Sequence, residues 1–85
     1  DEAEVLDRAN ATRFGLSGSV WSGKPERAAE LAGAMDCGTV WVNQHLALMP
    51  IAPVGGHKWS GIGVENGSWG LATYTDLQTI SVAKA

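Results

Sequence analysis

Few side chains here are of the kinds that do covalent or acid–base chemistry, and their spacing decides what they can do. Cys37 is the single cysteine. A catalytic thiolate needs a base beside it and a positive surrounding, and the residues around Cys37 offer neither. A structural role is expected, because free cysteine is among the most buried side chains. His45 and His57 stand twelve positions apart, with no Cys or His at a metal-ligand spacing. Both therefore read as loop or packing residues, and no metal site is expected. Gly61-Ile62-Gly63-Val64-Glu65-Asn66-Gly67 resembles a stretched phosphate cradle. The true fingerprint sits between a strand and a helix that opens on its last glycine. Gly55 to Ser60 (GGHKWS) in front of it does not read as a strand, so a structural turn is expected. Glu65 is the only acidic residue between Gly38 and Thr75. It reads either as a solvated charge before a helix N-terminus, worth about 0.3–1 kcal/mol, or as a carboxylate half-buried among apolar neighbours and kept for a reason. The glycosylation sequons Asn10-Ala11-Thr12 and Asn66-Gly67-Ser68 matter only in a secreted protein. Trp21, Trp41, Trp59 and Trp69 are scattered and read as packing anchors. No nucleophile-and-base pair can be assembled from these residues.

The elements that must position them follow from periodicity. Asp1 to Ala11 carries Ala3, Val5, Leu6 and Ala9 among charges, which predicts an amphipathic helix. Leu16 to Trp21 reads as a short strand. Ser22-Gly23-Lys24-Pro25 is a turn, with Ser22 or Lys24 near the N-cap and Pro25 in the first helical turn. Glu26 to Met35 places Ala28, Leu31, Ala32 and Met35 on one helical face, and Gly38 is expected to follow the helix end. Thr39 to Val42 is β-branched and aromatic, a strand. Strand, helix, strand is the pattern of a βαβ unit with parallel strands. Gln44 to Gly56 forms a long apolar loop, of a length more common in binding segments than in compact connections. Trp69 to Tyr74 predicts a short helix, and Leu77 to Val82 alternates like a strand.

Composition bounds the rest. The 85 residues are 45% apolar and 18% charged, too apolar for a disordered tail. Length alone excludes a two-domain enzyme with its own cofactor domain, and a lone fold this short is marginal. The net charge of −3 comes with no basic cluster, which argues against a nucleic-acid partner. No signal-like leader and no apolar run long enough for a membrane span are present. The expectation is a soluble cytoplasmic chain. A start at Asp1 rather than Met predicts further residues upstream. From Gly38 to His57 there is no Lys, Arg, Asp or Glu, so this stretch expects cover on both sides.

As a set, the residues resemble the C-terminal segment of the aldehyde dehydrogenase superfamily. Ala9-Asn10-Ala11-Thr12-Arg13-Phe14-Gly15-Leu16 through Trp21 is similar to the family's "AN-x-T-x-YGL-x-x-SV" block, and Gly38 to Asn43 to its "GTVWVN" strand. Pro53 to Gly63 resembles "PFGGYKxSGxG". Glu65, Asn66-Gly67, Tyr74-Thr75 and Gln78-Thr79-Ile80 match the ending "E-x-G…YT-x-x-KT-V". The resemblance implies an α/β fold in which residues 1–75 belong to the catalytic domain and residues 76–85 form an oligomerisation strand. It implies a parent enzyme that oxidises an aldehyde with NAD or NADP, through a thiohemiacetal, a hydride transfer and hydrolysis of a thioester. It further implies a homo-oligomer, a dimer or tetramer. The nucleophile, the general base and the cofactor domain would lie upstream, so no residue here is expected to bind the cofactor and the fragment alone is expected to be inactive.

Within the resemblance, Leu48 stands where the family often has an aromatic and Val54 where it often has Phe. Both positions are implied to line the aldehyde pocket, so bulkier substrates are expected. Glu65 falls on the glutamate implied to relay a proton from the general base. His57 for an aromatic and Gln78 for Lys are smaller departures. Two other readings stand beside this one: a non-catalytic remnant or assembly module, and a small ligand-binding protein using the apolar loop.

Overall fold

The computed structural model describes residues 1–84. Helix α1 runs over Glu2–Asn10, and Asp1 caps it by accepting the Glu4 amide at 2.8 Å. Such a cap satisfies one of the first four amides, which have no partner inside the helix. Strand β1 (Phe14–Gly15) and strand β2 (Ser17–Val20) follow, then helix α2 (Pro25–Gly33). Pro25 occupies the first turn of α2, where its missing N–H costs nothing. Lys24 is the N-cap but makes no side-chain cap bond, while the Ser22 hydroxyl accepts the Lys24 amide at 3.0 Å. Strand β3 (Thr39–Val42) pairs parallel with β2, in the register Ser17↔Thr39 to Val20↔Val42. The expected βαβ unit is therefore present. Helix α2 lies across both of its strands and buries Ala28 completely.

Beyond β3 the chain is irregular. A two-residue strand β4 (His57–Lys58) pairs antiparallel with β1, Phe14 opposite Lys58 and Gly15 opposite His57. This corrects the reading of Gly55 to Ser60 as containing no strand. Two residues are too few to show any alternation, and a partner remote in sequence creates the ladder. Helix α3 spans Gly67–Ala72, two residues earlier than expected. Gly38 does not end α2, which stops at Gly33 with Ala34 as C-cap. Its need for no side chain is elsewhere: a β-carbon on Gly38 would overlap the Gly55 carbonyl oxygen.

Leu77 to Val82, expected as a strand, belongs to no ladder, and Leu77, Ile80 and Val82 are exposed. An alternating segment becomes a strand only when another backbone accepts and donates its hydrogen bonds, and among the described residues none is paired with it. Ala85, the end of the expected oligomerisation strand, lies outside the described residues. Ala28 and Trp41 are the buried apolar side chains among the described residues, whereas Trp21, Leu48, Ile51, Trp59 and Ile62 are among the many left exposed. The uncharged stretch from Gly38 to His57 thus has cover over β3 and very little over its loop.

Candidate functional site

Three segments meet where β1, the connection from α2 to β3, and β4 converge. The Gly38 amide donates to the Gly15 carbonyl at 3.0 Å, and a β-carbon on Gly15 would overlap the Asp36 carbonyl. The Ser60 hydroxyl accepts the Gly15 amide at 2.9 Å. Gly56 and Gly61 also touch, since a β-carbon on Gly61 would come within 2.8 Å of the Gly56 nitrogen. These approaches let the backbone fold back on itself and leave an open depression of about 660 Å³. Leu16, Val54, Ser60, Glu65 and Tyr74 line it.

Val54 and Glu65 are bound to each other by an isolated antiparallel bridge, each amide donating to the other's carbonyl at 2.7 Å. Glu65 is the only charged residue of the lining. It is exposed, which corrects the expected half-burial: six glycines between Gly55 and Gly70 supply no bulk to cover it. Leu48 is 57% exposed and does not line this depression. Of the three residues singled out from sequence, the fold brings Val54 and Glu65 together and leaves Leu48 apart, in the loop below Trp41. Trp41 organises that loop by donating its indole N–H to the Ala47 carbonyl at 2.8 Å, with the His45 ring edge-on at 5.1 Å.

Beside the depression lies a charged cluster that sequence reasoning missed. Asp36 Oδ1 is 2.8 Å from His57 Nδ1, and Asp36 Oδ2 is 3.6 Å from Lys58 Nζ. Lys58 Nζ also donates to the carbonyls of Asn10, at 2.8 Å, and Thr12, at 3.0 Å. Asn10 in turn accepts the Asp36 amide at 2.9 Å. The His57 hydrogen bond holds the Asp36 carboxyl below its ordinary 3.8; desolvation works against it, and the Lys58 charge adds a smaller lowering. The available signal was Lys58 itself, the first charge after a long uncharged run. A second depression, about 530 Å³, lies between α1 and the βαβ unit and is lined by apolar side chains such as Val5, Leu31 and Met35. It holds no group able to do acid–base work beyond the exposed Asp1 and Glu2.

Residues 1–80 match the model of the aldehyde dehydrogenase family. The chain belongs to that family. It is 44% identical to human retinaldehyde dehydrogenase 3 over 79 residues, which is 93% of this chain and 15% of that protein. With the betaine aldehyde dehydrogenase of Agrobacterium fabrum it shares 42% identity over 83 residues, 98% of this chain and 17% of the relative. An aldehyde dehydrogenase from Bacillus cereus, solved as its NAD⁺ complex, superposes with a TM-score of 0.83 at 39% identity over 89% of this chain and 16% of that one. The chain thus spans about a sixth of the length of the relatives it matches. NAD⁺ is a cofactor of the aldehyde dehydrogenase family. In the glycine run from Gly61 to Gly67 the Glu65 amide is committed to Val54, at 2.7 Å, and the Gly67 amide to Pro50, at 2.8 Å, so these two are not free to cradle a phosphate. Among the described residues no group of three His, Cys, Asp or Glu could hold a metal, and no helix is long and apolar enough to cross a membrane.

Proposed function

We propose that this segment is the C-terminal part of an enzyme that oxidises an aldehyde to a carboxylic acid with NAD(P)⁺, and that it supplies substrate-facing and proton-handling residues. The match of residues 1–80 to the family carries this reading. Leu48 and Val54 limit substrate volume from the loop side, and their aliphatic chains admit a bulkier aldehyde than rings would. Glu65 sits at the open mouth of the depression with a carboxylate in contact with water. A group that passes a proton from a general base to solvent needs that access once per turnover. The Val54–Glu65 bridge supports the pairing of these roles, because it fixes the carboxylate-bearing backbone against the substrate-facing one. Residues 76–85 join a sheet shared between subunits of a cytoplasmic homo-oligomer, which gives the unpaired backbone of Leu77 to Val82 its partners.

Steady-state and burst kinetics on the enzyme that carries this segment test the reading. Glu65→Gln is expected to leave the NAD(P)H burst intact and slow turnover by about a hundredfold, the lower end of the range for loss of a proton-transfer group. Leu48→Phe is expected to lower kcat/KM for bulky aldehydes more than for small ones. Equal losses across a size series, with an unchanged turnover in Glu65→Gln, would assign both residues to packing. The 85 residues alone are expected to form no NAD(P)H.

A further inference from the structure

We infer that Asp36 is a positioning residue for the Val54–Glu65 wall, acting through His57 and Lys58. This deepens the proposed function, since that wall is the one assigned to substrate and proton.

The path is short and physical. Asp36 is 21 residues from His57 in sequence, and its two carboxylate oxygens face two successive side chains of β4. His57 and Lys58 are the basic side chains within 4.0 Å of its carboxylate among the described residues. Lys58 has a φ of 51°, a left-handed conformation that a side-chain residue keeps only where its surroundings over-determine it. Its ammonium supplies that restraint, bonded to the carbonyls of Asn10 and Thr12, and the side chain is only 22% exposed. Asp36 balances the ammonium charge and anchors the neighbouring imidazole. Its own amide is fixed by Asn10 Oδ1. Immediately before β4 come Gly55 and Gly56, and Gly55 presses its carbonyl on Gly38, two residues after Asp36. Val54 follows without a break. A shift of β4 away from Asp36 therefore moves Gly55 off Gly38 and pulls Val54 from Glu65. The sequence marks the device only by its departure from the family, a histidine where an aromatic is usual.

Amide hydrogen exchange on the enzyme that carries this segment, read by mass spectrometry with fragmentation to single residues, tests this without any aldehyde. Its outcome is independent of whether substrate binds at the wall. Val54 and Glu65 report the bridge, and Asn43, whose amide donates to Val20 at 2.9 Å, reports the βαβ unit. Asp36→Asn is expected to speed exchange at Val54 and Glu65 by about three- to fivefold relative to Asn43, the scale of a partly exposed charged contact. Asp36→Glu should recover part of that protection. In the unmutated chain exchange at Val54 and Glu65 relative to Asn43 should also rise on acidification below 3.8, where the Asp36 carboxyl takes up its proton. The Asn variant should lack this step. Equal acceleration at all three amides, no acceleration, or an identical acid profile in the variant would overturn the inference. If Asp36→Asn does not fold, the acid profile compared with that of His57→Phe decides, since His57→Phe should weaken the step and an unchanged step would overturn the inference.

Discussion

The two halves of this chain hold their shape by different means. From β2 to β3, a parallel ladder of four residue pairs carries a helix that buries Ala28 and shelters one face of the sheet. Hydrogen bonds and apolar burial there repeat with the period of the element. From Asn43 onward the regular structure is one short helix, a two-residue strand and an isolated bridge. Order there comes from single contacts: glycine against carbonyl, lysine against helix end, indole against loop. Asn43, Leu46, Lys58 and Asn66 all take positive φ, between 51° and 60°. Asn43 tolerates the left-handed region, but Leu46 and Lys58 each pay roughly 1–2 kcal/mol for it, and Asn66, with a ψ of 168°, lies where little but glycine goes. The first half should tolerate changes that keep its pattern. The second should fail wherever one contact is lost.

The link between the halves is the place to break this comparison. Trp41 is in β3 and 6% exposed, yet its indole bonds the loop at Ala47. Trp41→Ala is expected to cost about 3–4 kcal/mol and to disorder both halves together, read as loss of the single unfolding transition in urea. Survival of an ordered βαβ unit would show that the halves are more independent than this contact implies. Gly38→Ala should sharpen the contrast. Its β-carbon meets backbone, the Gly55 carbonyl, which cannot rotate away as a side chain could. The expected cost is about 2 kcal/mol, confined to the second half, so exchange should rise at Val54 and Glu65 and hold at Asn43. The smallest effect belongs to the first half. Glu2 bonds Arg27 at 2.5 Å across α1 and α2, and this bond holds the Glu2 carboxyl below its ordinary 4.5. A group so lowered stabilises the fold above its unfolded value and loses that contribution as pH falls through the folded one. Glu2→Gln should therefore lower Tm slightly at neutral pH and low salt. The difference should close on acidification below 4.5 and on adding about 1 M salt, where screening is short-ranged.

What the sequence alone determined is the part that repeats. Four apolar positions at helical spacing in Glu26 to Met35, and a β-branched run at Thr39 to Val42, make the parallel βαβ unit readable, because periodic burial leaves a periodic trace. The family was legible too, carried by short blocks in the right order and borne out over residues 1–80. Tertiary structure alone decided that β1 pairs with β4, that Gly38 is spent on Gly55 rather than on ending a helix, and that Glu65 is open to water. It also brought Val54 to Glu65 while leaving Leu48 aside, and set Asp36 against His57 and Lys58. The pairings among these join residues at least eleven positions apart through only one or two contacts each. A single contact has no period, so nothing in the order of residues announces it until the chain has closed on itself.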